Sequence, residues 1–383
     1  MFQTIISTIS SFMYSKLLVI ILIGAGVYFT VRTRFPQVRL FKRACESVME
    51  KPEDKKAISS FQALMVSTAS RVGTGNIVGV SSAICIGGFG SVFWMWVIAI
   101  IGGILAVLTG WCLLGGGSRI VKVTSMVVPV MGIAYIGISL LVVIINIQNV
   151  PAMFVRIFEE AFDFRAIFGA FSGSAMMQGI RRGLYSNEAG IGSAPNASAS
   201  ANVSHPVKQG LVQMLSVFID TLLLCTATAM MCMSSGIDPA KELQGAPWVQ
   251  ASLQESLGSF GPVFITVAMV FFAFTTLLGN CFYCDNLLIY IHKKQPEKAF
   301  MKGFRLVSAL ALFLGAGMEM SLLWDLSDVL MGVMALINIP VILILSGIAF
   351  KAVQDYEAQL KKGINPVFKS ADIGLSQKTD FWS

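Results

Sequence analysis

The chain has 383 residues, of which 55% are hydrophobic and only 13% are charged. A soluble domain carries roughly twice that share of charge, so the composition excludes an ordinary soluble protein and indicates an all-α, polytopic integral membrane protein. The net charge of +7 does not indicate nucleic-acid binding, because the basic residues cluster between apolar stretches and no run combines them with stacking aromatic residues.

Apolar stretches of about 20 residues are long enough to cross a bilayer, and we predict nine such helices. They lie at 15–34, 58–87, 91–116, 122–147, 165–188, 206–236, 259–291, 304–322 and 326–350. The first is predicted to be a retained helix rather than a signal peptide, because no small-residue cleavage site follows it.

The distribution of basic residues predicts the orientation of these helices, since basic loops stay on the cytoplasmic side. The segment Arg32 to Lys56 is strongly basic, which places the N-terminus outside and makes the first helix run inward. Acidic stretches at 156–165 and 237–258 are then expected outside. His205, Lys208, the Lys293–Arg305 loop and the C-terminal tail are expected inside. The predicted protein is therefore a multi-pass protein of the plasma membrane with a cytoplasmic C-terminus.

The second predicted helix is interrupted by a small polar segment, Ser70 to Asn76. In lipid an unpaired backbone group costs several kcal/mol, so a break is tolerated only where it lines a cavity or a site. Glycine leaves helical geometry easily, amides at a half-helix N-terminus can hold a carboxylate, and Asn76 can donate or accept. We predict Gly73, Thr74, Gly75 and Asn76 as substrate-binding residues. The alternative is close helix packing through small residues.

A second interrupted segment, 178–200, is also dense in Gly, Ala, Ser and Asn. Two broken helices at matching positions of two halves indicate an inverted repeat with a shared site. The halves differ in length, because five helices follow the second break as far as residue 350 and only three run from the first break to residue 147. The predicted organisation is an extra helix over 1–35, a basic segment over 36–57, a first repeat over 58–150, a second repeat over 165–350 and a tail over 351–383.

Four polar residues are candidates for gating or coupling. Asp220 is a carboxylate within an apolar span, where such groups are costly and usually paired or functional. It could pair with Arg181 or Arg182, or act on a cation or a proton. Asn187 and Glu188 could line an inner gate or cap the broken backbone. Arg71 is interpreted as an inner gate charge rather than a direct ligand.

Thr275 and Thr276 add hydroxyls to an otherwise apolar helix, and either could simply bond back to its own helix. Cys281 and Cys284 have the spacing of a redox motif but lie within the same helix, so we interpret them as packing residues. The two histidines, His205 and His292, form no metal-binding or nucleophile pattern, and we predict a protein that is not an enzyme.

The motifs together resemble the alanine/glycine:cation symporter family, also called the sodium:alanine symporters. Gly87 to Trp96 is similar to the family signature, Arg71 to Asn76 to its first broken helix, and Gly183 to Asn196 to its second characteristic block. Further matching residues are His205, Pro206, Gln209, Gly210, Phe218 to Thr221 and Cys225 to Ala227. The resemblance covers nearly the whole chain.

The resemblance implies a leucine-transporter-like inverted repeat that couples sodium influx to the uptake of small neutral amino acids such as alanine or glycine. It places Thr276 at the substrate. We also predict Asn280 as a substrate-binding residue, at a position where many relatives carry Trp. It also places Thr74, Thr275 and Thr276 near sodium. No cofactor is implied beyond the transported sodium ion, and the expected partners are the amino acid, sodium and the lipid bilayer.

One departure from the family is a shortened first repeat. Gly102-Gly103 runs directly into Ile104 to Leu114, which resembles the end of the family's fourth core helix. The gap near 103/104 would be roughly 80–90 residues, enough for two spans, so the chain would have nine helices where the family has eleven. Two alternatives stay open: a truncated, non-transporting family member, and a proton-coupled transporter in which Asp220 or Glu188 titrates.

Overall fold

The computed structural model describes residues 2–52, 57–89, 92, 93, 96, 118–163, 175–239, 245–316 and 320–375. Over these ranges the regular structure is helical, and Ile58 and Ala201 form an isolated parallel β-bridge. Four helices within them are long and apolar enough to cross a membrane: Thr124–Ile145, Pro206–Ser234, Phe260–His292 and Ser321–Lys361. The protein is therefore an integral membrane protein that crosses the bilayer several times. The junction at 103/104, most of the predicted helix 91–116 and the start of the predicted helix 165–188 lie outside the described residues.

The helices are named here in chain order. They are α1 (Phe2–Phe12), α2 (Val19–Arg32), α3 (Pro36–Arg39), α4 (Phe41–Val48), α5 (Ser60–Arg71), α6 (Val80–Gly87), α7 (Ser118–Ile145), α8 (Val150–Ala161), α9 (Ala175–Asn187), α10 (Ala194–Ser198), α11 (Pro206–Phe218), α12 (Thr226–Ser234), α13 (Ala246–Leu257), α14 (Phe260–His292), α15 (Lys298–Ala316) and α16 (Met320–Lys361). Wider π-helical turns join α1 to α2, lead into α6, and join α11 to α12.

Several helices differ from the predicted spans. The first is longer than predicted, since α1, a π-helical turn and α2 run without a break from Phe2 to Arg32. The hydroxyls of Ser7 and Thr8 bond the carbonyl of Thr4 within α1, so these polar residues do not end the helix. Helices α8 and α13 lie in segments predicted as outer loops. They are short amphipathic helices; in α8, Met153, Ile157 and Ala161 recur at every fourth residue and are buried.

Large apolar side chains remain exposed on the outward faces of the long helices. Exposed members include Met126, Val130 and Ile133 on α7, Val263 and Val270 on α14, and Ile337 and Ile344 on α16. In a bilayer these faces contact lipid chains, which is why exposure of apolar surface on this scale is compatible with a stable fold. The helix Pro206–Ser234 is the most buried of the four apolar helices, and it positions the polar residues described below.

The inter-helix segments gather at two opposite ends of the bundle. At one end Lys208 Nζ donates to Glu50 Oε1 and Asn365 Oδ1, at 2.6 and 2.7 Å, which joins the basic segment, the start of α11 and the tail. At the other end Arg156 pairs with Asp238 at 3.0 Å. Each of these contacts joins segments that the charge pattern predicts to lie on the same side of the membrane. Which end faces the cytoplasm stays a prediction.

Candidate functional site: a cavity where two helix breaks meet

The first predicted break lies at the end of α5. A capping box formed by Ser59 and Gln62 starts this helix, and the backbone leaves helical geometry at Val72, where ψ is 84°. A Cβ on Gly73 would overlap the hydroxyl oxygen of Thr276, so the break lies directly against α14. A Cβ on Gly279 would lie 2.7 Å from the backbone nitrogen of Ser70. Glycine at both positions allows the two backbones to approach.

The polar groups freed by this break find partners from three elements. The hydroxyl of Thr276 donates to the carbonyl of Val72 at 3.3 Å. The amide of Gly73 donates to Asn76 Oδ1 at 2.8 Å, and Asn76 Nδ2 donates to Asp220 Oδ1 at 2.7 Å. Asn76 is fully buried. Its side chain therefore ties the break to the π-helical turn between α11 and α12.

The second predicted break follows α9. Three residues there have a positive φ: Glu188 at 52°, Gly190 at 84° and Gly192 at 92°. Asn187 caps the broken backbone, since its Oδ1 accepts the amide of Ala189 at 3.0 Å. Glu188 accepts from Ser70 at 3.0 Å and from Ser193 at 2.6 Å. Asn187 therefore caps the broken backbone, and Glu188 lines the cavity described below.

Ser70 joins the two breaks. Its hydroxyl lies 3.0 Å from Glu188 Oε1 and 2.9 Å from Asn280 Oδ1. A serine has one hydroxyl proton, so it serves one acceptor at a time. The last turn of α5, the second break and α14 consequently share one polar contact that can be exchanged.

A cavity of about 440 Å³ opens at this junction, within the usual range for small-molecule sites. Seven of the predicted site residues line it: Arg71, Gly73, Thr74, Gly75, Glu188, Thr276 and Asn280. The aromatic residues Tyr185 and Tyr283 also line it, and neither was predicted from the sequence. Their only sequence signal was proximity to the breaks and to the Thr275-Thr276 pair.

Four predicted residues, Asn76, Asn187, Asp220 and Thr275, lie outside this lining. Thr275 is fully buried, and its hydroxyl lies 3.0 Å from the carbonyl of Phe271 in its own helix. That geometry is the back-bonding alternative. Asp220 accepts from Asn76, Ser186 and Thr221 at 2.7, 2.9 and 3.1 Å. It stands on a π-helical turn, a distortion frequent at functional sites.

Of the two alternatives for Asp220, the pairing with Arg181 or Arg182 is wrong. Both arginines pair with Asp328 of α16, with Arg182 Nη2 2.5 Å and Arg181 Nε 3.6 Å from its Oδ2. Asp328 is fully buried beside α9, whereas Asp220 is already satisfied by uncharged donors. The signal for Asp328 was present in the sequence: it is a carboxylate within a predicted apolar span, as Asp220 is.

Arg71 brings a positive charge to the wall of the cavity. It is 2% exposed, and its Nη1 lies 3.4 Å from Gln213 Oε1. Its Nε and Nη2 have no hydrogen-bond partner among the residues that the structure describes. A guanidinium with free donors beside Glu188 gives the cavity both a cationic and an anionic group.

A helical membrane protein with two broken helices meeting at a small polar cavity has the features of the class of secondary transporters. The chain belongs to the sodium:alanine symporter family, whose family model matches residues 1–103 and 100–370.

Curated relatives span nearly the whole chain. It is similar to the amino-acid carrier protein AlsT of Bacillus subtilis, at 36% identity over 460 residues covering 100% of this chain and 98% of the relative. It is similar to the probable sodium/glutamine symporter GlnT of Bacillus subtilis at 33% identity, covering 96% of this chain and 93% of the relative. It is similar to the sodium/alanine symporter AgcS of Methanococcus maripaludis at 30% identity, covering 94% and 99%.

The alignment with the first of these relatives is 460 positions long, although this chain has 383 residues. The alignment therefore contains positions at which the relative has residues and this chain has none. The two segments matched by the family model meet between residues 100 and 103. That is the place where the resemblance puts the missing segment.

Proposed function

We propose that the protein is a sodium-coupled symporter of a small neutral amino acid, with alanine or glycine as its substrate. The observation that carries the proposal is the cavity in which both broken helices meet, with Thr276 in its lining and the Thr276 hydroxyl donating to the Val72 carbonyl at 3.3 Å. Broken helices offer amides to an anionic substrate group and carbonyls to the coupled ion.

The substrate would lie against Gly73, Thr74 and Gly75, where the second half of the broken helix begins. Amides at a half-helix N-terminus favour a carboxylate. Glu188 faces the same cavity and can accept hydrogen bonds from an ammonium group. Asn280 adds a polar side chain within reach of Ser70. A small zwitterion matches this arrangement in both size and charge.

Sodium would bind where oxygen atoms gather at the break. Thr74 and Thr276 line the cavity, and the Val72 carbonyl lies 3.3 Å from the Thr276 hydroxyl. Thr275 contributes no oxygen to the cavity in this conformation. A joint site for ion and substrate allows the two to favour the same conformation, since ligands shift an equilibrium by their differential affinity.

A proton is the second candidate ion. One relative, YrbD of Bacillus subtilis, is named a putative sodium/proton-dependent alanine carrier protein, at 33% identity to this chain. Two acidic groups of this chain are placed to take part: Glu188 at the cavity and the buried Asp220 behind the break.

The test is uptake of labelled alanine into proteoliposomes under an inward sodium gradient, with potassium in its place, and with an inward proton gradient alone. Sodium-dependent accumulation supports the proposal. Accumulation driven by the proton gradient alone would mean that the coupled ion is a proton. Absence of uptake by correctly inserted protein would make this chain a non-transporting member of the family.

A further inference from the structure

A second cavity of about 620 Å³ lies on the other side of an aromatic pair. Tyr185 lines the first cavity and Trp324 lines the second, and their rings pack edge to face with centroids 4.6 Å apart. Among the described residues, the two cavities have no lining residue in common. The second cavity is also lined by Gly245, Ala246 and Pro247, at the end of the bundle that carries the 237–258 segment.

Two buried arginines line this second cavity and keep unused donors. Arg181 is 9% exposed and Arg182 is 6% exposed. Within the part of the chain that the structure describes, Arg181 Nη2 and Arg182 Nη1 have no hydrogen-bond partner, and Arg181 Nε lies 3.6 Å from Asp328, too far for a hydrogen bond. An unpaired buried charged donor destabilises a protein, so these donors are suited to bind an acceptor from a ligand. Both guanidinium groups pair with the same carboxylate, Asp328, which leaves part of their donor capacity unused.

The same cavity has an anionic group. Asp325 lines it and is only partly buried, one residue from Trp324. The Arg182 guanidinium packs over one face of the Trp324 ring, with its Cζ 4.3 Å from the ring centroid. One cavity thus presents free guanidinium donors and a carboxylate, which is the pattern that recognises a molecule with both a carboxylate and an ammonium group.

We propose that the second cavity is a separate binding site for a zwitterionic amino acid. The carboxylate of the ligand binds the free donors of Arg181 and Arg182, and its ammonium group binds Asp325. The choice of an amino acid as the ligand rests on the proposed function. The Tyr185–Trp324 pair separates this site from the cavity at the helix breaks, so the chain holds two amino acids at once.

The test is equilibrium binding of labelled alanine to the purified protein in lipid nanodiscs, at saturating sodium, with the bound alanine counted per chain. The wild type is expected to bind two. Asp325→Asn and Arg181→Gln are each expected to bind one alanine, at the cavity between the helix breaks. Gly73→Ala is also expected to bind one alanine, at the second cavity. Asp238→Asn, whose carboxylate is 83% exposed at the same end of the bundle and lies outside the cavity lining, is the matched control and is expected to keep both.

Competition identifies the chemistry that the second site requires. In the Gly73→Ala protein, glycine is expected to displace labelled alanine, while acetate and methylamine, which each carry one of the two charges, need at least tenfold higher concentrations. If the wild type binds one alanine, and Gly73→Ala removes it while Asp325→Asn leaves it unchanged, the second site is overturned. The proposed function is then left intact. No bound alanine in the folded wild type would overturn both.

Discussion

Thr276 and Gly73 lie so close together that only a hydrogen atom fits between them on the glycine side, and the Thr276 hydroxyl reaches past it to the Val72 carbonyl at 3.3 Å. This contact fixes the position of α14 against the first break. It also explains why the break and the hydroxyl form one site, although Val72 and Thr276 are 204 residues apart in the chain.

Gly73→Ala is expected to reduce sodium-dependent alanine uptake at least tenfold, because its Cβ would overlap the Thr276 hydroxyl and push α14 away from the break. Gly24→Ala is the matched control, since nothing lies within 4 Å of a Cβ at that position. Uptake into proteoliposomes is the measurement. Normal uptake by Gly73→Ala would show that the close contact is not needed for transport.

Thr276→Val and Thr275→Val are expected to differ although the two residues are neighbours. Thr276 presents its hydroxyl at the cavity wall, so its removal should raise the sodium concentration for half-maximal uptake several-fold. Thr275 bonds its own helix, so its removal should leave the sodium curve nearly unchanged. Sodium titration of alanine uptake measures both. A shift confined to Thr275→Val would move the ion site to the other face of α14.

Asp328→Asn is expected to destabilise the fold by about 3–5 kcal/mol, because it leaves two buried guanidinium groups without their carboxylate. Asp238→Asn, which removes the exposed partner of Arg156, should cost about 1 kcal/mol or less. Thermal unfolding in detergent, followed by size-exclusion chromatography, compares the two variants. Equal melting temperatures would show that Asp328 does not neutralise the arginines in the folded protein.

The stability of the protein is expected to fall as the pH is lowered from about 6.5 to about 4, because burial lowers the pKa of His205 to about 4. The unfolded chain then binds a proton that the folded protein does not, which favours unfolding by up to about 1.4 kcal/mol per pH unit. Asp355 lies 3.3 Å from the ring and favours the protonated form, whereas Lys208 opposes it. His205→Gln should flatten the dependence of melting temperature on pH over this range. An unchanged slope in that variant would assign the dependence to other groups.

Labelling of introduced cysteines tests which end of the bundle is outside. In a cysteine-free background, Asp238→Cys is expected to react with an impermeant maleimide in intact cells. Lys362→Cys, in the tail at the opposite end, should react only after permeabilisation. Both positions are exposed. Reversed labelling would invert the orientation that the basic loops predict.

The sequence by itself determined the class of the protein and the places where its helices break. Low charge and long apolar stretches require a bilayer, and glycine with small polar residues inside such a stretch marks a break whose backbone needs partners. Both breaks lie where the sequence predicts them, near Gly73 and after Asn187. The helices on the surface of the bundle, such as α8 and α13, were not predicted, because their stripes of apolar residues are too short to separate from loops.

Only the tertiary structure decided which side chain meets which. Thr275 and Thr276 are neighbours in the sequence, but adjacent residues of a helix point about 100° apart, and of the two only Thr276 lines the cavity. Asp220 and Asp328 are both carboxylates in apolar spans, and helix packing alone gives the two arginines to Asp328. Local sequence sets where polar groups must be satisfied, whereas contacts between residues far apart in the chain depend on how the helices pack, which no short motif encodes.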